Sequence, residues 1–351
     1  MTNFDQRIGR LPPGVWGTIA KIDEIKGRWT QGEALHPYQL AQLQKSVLIT
    51  STGASTRIEG ATLSDAEVEK LIRGVQPKKA EGRDEQEVRG YFELLRHVFD
   101  VHGSIPFSES TILSLHQEML KYADGAQAHR GRYKTVENTI TAVGGTGAAA
   151  VVMKTTPPYL VRKEMESLLL WTRERLAAGD VHPLAVIANF VVEFLKIHPF
   201  EDGNGRLSRL LTNLLLLQAG YAFAPYVSHE KIIERRRQDY YLALRRSQAT
   251  VGTAHEDILP WTEFFLSVVL EQAEKAVVLM EKTGIEEMLS AKQLEVYNAV
   301  LTGKGVSAGE IAAATGVARP TVNQALEKLL RLKKISKVGI GRGTKYWPTR
   351  K

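Results

Sequence analysis

The 351-residue chain contains no cysteine. That absence excludes a disulfide scaffold, a thiolate metal site, a cysteine-held iron–sulfur cluster and a cysteine nucleophile. The chain also lacks any run of about 18 apolar residues, so no membrane span is expected. Met1–Arg10 is polar and carries no apolar stretch of the signal-peptide kind, which points to the cytoplasm. Internal repeats and low-complexity tracts are missing too. What is present is ordinary for a globular protein: 43% hydrophobic and 24% charged residues, which excludes disorder over most of the length. The length is sufficient for about two or three domains with real cores.

The charge is placed unevenly. Residues 286–351 hold twelve Lys/Arg against five Asp/Glu, and this surplus equals the +7 of the whole chain. A small basic module on a neutral body suggests a polyanion-binding appendage.

Most of the chain reads as helix. Tyr38–Ser51 has Leu40, Leu43, Val47 and Leu48 at helical spacing. Ser64 and Glu67 form the start signal of a helix over Thr62–Gly74, with Leu63 and Val68 as staple residues. Residues 76–83 are polar and read as a loop. Further amphipathic helices are expected over Glu85–His102, Ser108–Tyr122, Leu160–Leu176, Tyr240–Arg246 and Trp261–Lys282. Residues 1–30 carry Pro12-Pro13-Gly14 and a short helix near Ile19–Ile25. Residues 123–158 have no helical period and read as a loop with a short β-hairpin. After His182-Pro183 comes a helix apolar on nearly all sides, which marks it as buried and central. A second apolar helix, Leu207–Gln218, follows and ends at Gly220.

The polar loop between these two helices reads His198-Pro199-Phe200-Glu201-Asp202-Gly203-Asn204-Gly205-Arg206-Leu207-Ser208-Arg209. Gly203 and Gly205 let the backbone turn successive N–H groups inward, and such a nest at a helix N-terminus attracts anions. Arg206 and Arg209 lie one turn apart and can converge on phosphate oxygens. The macrodipole disfavours two cations in a first turn, a reason to suspect an anion there. Asp202 is a hard oxygen ligand suited to Mg²⁺ bridging two phosphates. His198 is the nearby histidine and the natural general base. The other eight histidines show no ligand spacing and read mostly as surface or helix-end residues.

This loop resembles the signature of the Fic (fido) family, His-x-Phe-x-acidic-Gly-Asn-Gly-Arg-x-x-Arg, at all eight specified positions. At about 5% usage per residue type, chance gives such a match on the order of 10⁻¹⁰ per start position. The resemblance covers roughly residues 40–280. It implies a mainly helical fido fold with a small β-hairpin flap, and a protein adenylyltransferase that moves AMP from ATP to a Ser, Thr or Tyr hydroxyl. His198 would take the proton from that hydroxyl. Asp202 would hold Mg²⁺ on the α- and β-phosphates. Gly203, Asn204 and Gly205 would cradle the phosphates, and Arg206 and Arg209 would bind the β- and γ-phosphates. Tyr240 and Tyr241 would border the adenine. The segment 132–153 would be the flap on which a target protein docks by strand addition. Relatives of the same scaffold transfer phosphate, UMP or phosphocholine, and the motif leaves these open. A homodimer is implied by family analogy.

Upstream, Ser55-Thr56-Arg57-Ile58-Glu59-Gly60 places Ser55 and Glu59 on one helix face, with Gly60 as a stop. It resembles the family's inhibitory motif, Ser/Thr-x-x-x-Glu-Gly/Asn. By that resemblance Glu59 would pair with Arg209 in the γ-phosphate position, an interaction worth about 1.5–3 kcal/mol. In some relatives the same Glu helps to hydrolyse the modification, so de-adenylylation is also open.

The C-terminal module has helices expected over Ser290–Leu301, Ser307–Thr315 and Ala318–Leu332, then strands over Ile335–Val338 and Thr344–Trp347. It resembles a winged helix-turn-helix. Arg319, Thr321, Asn323 and Gln324 would read DNA bases, and Arg342 and Lys345 on the wing would reach phosphates. Such modules also dimerise or bind proteins. The expected division is 1–105, an N-terminal helical region; 106–250, the catalytic core; 251–285, a helical connector; and 286–351, the winged helix. The alternative function is a DNA-binding regulator whose body senses nucleotide.

Overall fold

The computed structural model describes residues 3–31, 37–74, 82–143, 149–253, 255–303, 305–339 and 341–349, with only the backbone at 31, 37–38, 140–143, 149–153, 281–288 and 342. The chain divides into two compact units, Met1–Val277 and Val278–Lys351.

The first unit opens with α1 (Asn3–Gly9) and α2 (Pro13–Gln31). The sequence suggested a short helix in this region. Pro13 does not shorten α2, because at the first helical position the missing N–H has no intrahelical partner to lose. Then come α3 (Pro37–Ile58), α4 (Asp65–Ile72), α5 (Gly82–Val101) and α6 (Glu109–Met119). The capping box before α4 forms as read: Ser64 Oγ accepts from the Glu67 N–H at 3.3 Å, and Glu67 accepts from the Ser64 N–H at 2.9 Å. Leu63 and Val68 are buried in one apolar cluster with Leu71 and Val88. Of the loop expected at 76–83, residues 75–81 lie outside the described residues, and 82–83 already belong to α5.

The hairpin pairs β1 (Thr139–Val143) with β2 (Ala149–Lys154) antiparallel, with a register shift between Ile140 and Thr141. Its glycine-bearing tip, 144–148, lies outside the described residues. Helices α7 (Pro158–Ala178), α8 (Pro183–Ile197), α9 (Asn204–Gln218), α10 (His229–Arg235), α11 (Arg237–Gln248) and α12 (Leu259–Met288) complete the order, α12 running past residue 277. No helix among the described residues is long and apolar enough to cross a membrane.

Helices α8 and α9 are the core. Every residue of α8 from Leu184 to Ile197 is buried except Lys196. An element so enclosed must have its polar groups met by neighbours. Arg7 of α1 donates to Asn189 at 2.6 Å and to Glu193 at 2.8 Å. The Trp261 indole donates to the Ala188 carbonyl at 2.8 Å, which ties α12 to α8. Helix α10, which the sequence reading missed, is capped by Ser228 and buries Glu230 completely.

The second unit folds α13 (Ala291–Thr302), α14 (Ala308–Thr315) and α15 (Arg319–Arg331) around a separate apolar cluster that includes Val296, Ile311, Val322 and Leu326. Strands β3 (Ile335–Val338) and β4 (Lys345–Pro348) form an antiparallel pair beside it.

Candidate active site

Helix α8 ends at His198, which takes the left-handed conformation at φ 52° and ψ 60° while its N–H still donates to the Phe194 carbonyl. A non-glycine residue there is uncommon and marks a constrained position. The His198 Nδ1 lies 3.3 Å from the Leu195 carbonyl. A carbonyl can only accept, so the proton sits on Nδ1 and Nε2 keeps its lone pair. Burial lowers the His198 pKa, aided by the Lys134 ammonium, while the Leu195 carbonyl, Glu59 and Asp202 oppose the shift. The ring is therefore a neutral base at neutral pH.

The turn after His198 is held from within. Asn204 Oδ1 accepts from the Phe200 N–H at 2.9 Å, and its Nδ2 donates back to the Phe200 carbonyl at 2.8 Å. The Asn204 side chain thus braces the loop, and its offering to an anion is its backbone. Gly203 sits at φ 80° just before α9, a conformation that glycine adopts without penalty. A Cβ there would also approach Met119 Cε at 2.6 Å.

Four charged side chains converge on this helix N-terminus. Asp202 accepts from the Gly203 N–H at 2.6 Å and from Arg206 Nη2 at 3.0 Å. Partial burial pushes the Asp202 carboxyl up, but Arg206 and the Gly203 N–H outweigh it and hold it below the usual carboxylate range. Arg206 is almost wholly buried and lies 3.1 Å from Glu87 of α5. Arg209 donates from Nε to Ser55 Oγ at 2.9 Å, and from Nη2 to the Ser55 carbonyl and to Glu59 Oε1, both at 2.8 Å. Burial works against the Arg209 charge, yet Glu59 and the tyrosines around it push its pKa upward. Glu59 stands just beyond α3, where Gly60 at φ 107° turns the chain. Its carboxylate lies directly over Gly205: a Cβ on Gly205 would come within 2.1 Å of Glu59 Oε1 and 3.3 Å of Arg209 Nη1. Arg209 Nη1 is buried beside Gly205, with Tyr240 against the same guanidinium. The cup over Gly205 therefore holds the Glu59 carboxylate against the Arg209 guanidinium.

The remaining residues singled out by sequence are placed as follows. Tyr240 is buried, with its ring 5.7 Å from Trp261 and 5.8 Å from Phe264. Tyr241 donates to the Ile58 carbonyl at 3.3 Å, next to Glu59. In the second unit Arg319, Asn323, Gln324 and Lys345 are exposed and Thr321 is half-buried. The side chain of Arg342 lies outside the described residues.

Sequence reasoning missed four supports of the site. His116 of α6 is fully buried, an exception to the reading of most of the other histidines as surface or helix-end residues. Its Nδ1 accepts from the Gly131 N–H at 2.9 Å, so its Nε2 carries the proton and donates to the Asp202 carbonyl at 3.0 Å. The ring stacks on Phe200 at 3.8 Å. The signal was available, since His116 lies at helical spacing with buried Ile112, Leu115 and Met119. Glu87 likewise sits one turn before the buried Tyr91. Lys134 and Glu230 had no local signal.

The arrangement offers a neutral imidazole and an anion cup with two guanidiniums, Glu59 lying over the cup and Asp202 at its rim. Among the described residues no group of three or more His, Asp or Glu could hold a metal. A lone carboxylate is nevertheless the donor set of a Mg²⁺ ion whose other ligands are substrate phosphates and waters, and Asp202 fits that use.

Residues 106–216 match the sequence model of the Fic/DOC family. The chain is 29% identical over 188 residues to the protein adenylyltransferase Fic of Nematostella vectensis, across 52% of this chain and 37% of that protein. It is 27% identical over 204 residues to the Aedes aegypti protein of the same name, across 57% of this chain and 38% of that one. The chain thus spans well under half the length of these curated relatives. Among solved structures it is similar to a Fic family protein from Desulfovibrio desulfuricans G20, with a TM-score of 0.64, 26% identity and 97% of each chain covered. A Fic domain containing signalling protein from Bacteroides thetaiotaomicron VPI-5482 shares the fold, with a TM-score of 0.63, 23% identity, and 75% of this chain and 97% of that chain covered.

Proposed function

With residues 106–216 a Fic/DOC family domain, we propose that this protein transfers AMP from ATP to a Ser, Thr or Tyr hydroxyl of a protein, and that Glu59 holds the activity in check. The observation that carries the reading is the pairing of an Nε2 lone pair on His198 with an anion cup on the next helix turn. The hydroxyl oxygen attacks the α-phosphorus as its proton passes to His198 Nε2. The bond from the α-phosphorus to the bridging oxygen breaks, and pyrophosphate leaves. Gly203–Gly205 N–H groups and the Arg206 and Arg209 guanidiniums hold the charge that develops on the phosphate oxygens. Mg²⁺ held by Asp202 would neutralise phosphate charge when bound.

Glu59 opposes this because it already fills the cup. A triphosphate brought against Arg209 would meet a carboxylate, and two like charges in one low-dielectric site repel. Glu59→Gly is expected to raise auto-modification, read as one AMP unit by mass spectrometry after incubation with ATP and Mg²⁺. Equal incorporation by parent and variant would remove the inhibitory role. Adding His198→Ala to Glu59→Gly is expected to abolish incorporation while leaving ATP affinity within about threefold, the pattern of a lost base rather than lost binding.

The second unit supports a nucleic-acid reading of its own. On α15, Val322, Ala325, Leu326 and Leu329 are buried, while Arg319, Asn323 and Gln324 face outward with the basic surplus of the segment. Three helices followed by a hairpin is the element order of a winged helix, in which α15 would enter a major groove. A mobility-shift titration is expected to show binding that weakens steeply with salt, and binding indifferent to salt would exclude it.

A further inference from the structure

The base of the hairpin is fastened to the catalytic loop by one lysine that the transfer reaction does not itself use. Lys134 is buried, at 3% exposure, in the loop before β1. Its Nζ donates to Asn138 Oδ1 and to Thr155 Oγ1, both at 2.7 Å, and to the Ile197 carbonyl at 3.2 Å. Its backbone N–H donates to the Pro199 carbonyl at 2.9 Å. Asn138 and Thr155 immediately precede β1 and follow β2, so they close the open end of the hairpin. Ile197 and Pro199 are the two chain neighbours of His198. Asn138 Nδ2 adds a bond to the Phe200 carbonyl at 3.0 Å.

We propose that Lys134 is a positioning residue, which clamps the hairpin to both flanks of His198 so that a peptide lying on the hairpin edge presents its hydroxyl to the imidazole. The inference rests on the AMP-transfer reading and deepens it, by naming what sets the acceptor against the base. Three neutral oxygens hold the ammonium, and no carboxylate touches it among the described residues. A neutral side chain would satisfy such a site at lower desolvation cost, so the charge has another use. It lies at the C-terminal end of α8, where a cation is favoured by the helix dipole. It also faces His198 and disfavours a second positive charge there. Burial brings the Lys134 amine down to about 8, against the opposing pull of Glu164 and Glu137. The other charges facing His198 are Glu59 and Asp202, both of which favour its protonation.

The test uses the full chain in the Glu59→Gly background, with Lys134→Met and Lys134→Gln. Single-turnover auto-modification is expected to slow about tenfold to a hundredfold, with half-saturating ATP within twofold of the parent. The acid limb of the rate profile is expected to move to higher pH, because the imidazole loses a repelling cation. Amides of Thr139–Val143 and Ala149–Lys154 are expected to exchange hydrogen faster while those of α8 and α9 keep their protection. Unchanged rates, unchanged hairpin exchange, or a loss shared equally by ATP binding would overturn the proposal. Should both variants fail to fold, Thr155→Val removes one acceptor and leaves the ammonium, and it must show the same split in smaller measure. If the Glu59→Gly parent incorporates no AMP, the transfer reading fails, and hairpin exchange still decides whether the clamp exists.

Discussion

At the scale of the residue, the site depends on which groups are kept uncharged. His116 is the clearest case. Burial brings its pKa down to about 4 from the ordinary 6.5. A histidine whose folded pKa is depressed costs nothing above pH 6.5. Below that the unfolded chain takes up a proton that the native state refuses, so stability falls with pH until about 4. The slope from one such group is about 1.4 kcal/mol per pH unit. His198 and His229 are shifted in the same direction, also by burial first. Denaturant midpoints measured from pH 7 to pH 4 are expected to fall, and His116→Gln is expected to flatten the fall by about one group's worth. An unchanged slope would mean that His116 is protonated in the native state. The eight signature positions were legible in the sequence because their chemistry is local, carried by neighbours in the chain. His116 was not read, because its partners, Gly131 and the Asp202 carbonyl, reach it only through the fold.

At the scale of the element, helices that carry the site are fastened by buried polar groups far apart in sequence. Glu230, at the start of α10, accepts from Ser51 of α3 at 2.7 Å, from Asn213 of α9 at 2.8 Å and from Tyr91 of α5 at 3.2 Å. Burial pushes this carboxyl up, but His229, Ser51 and Asn213 outweigh it and hold it below the usual range. The stability it supplies is present above the unfolded carboxyl pKa and is lost as pH falls through the lower folded value. Ser51 lies one helical turn before Ser55, which accepts from Arg209, so Glu230 also steadies the end of α3 that leads to Glu59. Glu230→Ala is expected to cost about 3 kcal/mol, read from denaturant unfolding, because it strands several buried donors at once. A loss below about 1 kcal/mol would show the donors finding water instead. Helix α10 was missed from sequence for a related reason. It has seven residues, too few for a periodic pattern, and its burial comes from contacts with α3.

At the scale of the whole molecule, each unit has its own core. Leu326, at 1% exposure, belongs to the cluster of the second unit. Leu326→Ala is expected to cost about 2–5 kcal/mol in the unfolding of that unit. Two calorimetric transitions, with only one of them lowered, are the expected outcome, and AMP incorporation by the Glu59→Gly chain should survive the change. A single transition lowered as a whole would show that the two units unfold together.

The sequence by itself determined the helical class, the buried pair of helices and the loop between them. Those features rest on periodicity and short-range spacing, which are properties of a line of residues. Only the tertiary structure decided that Glu59 lies over Gly205, that His116 and Glu87 brace the loop, and that Lys134 fastens the hairpin to the neighbours of His198. The physical reason is that a buried charge or donor must find its partner somewhere, and packing brings that partner from 21 residues away for Lys134 with Thr155 and from 150 for Glu59 with Arg209.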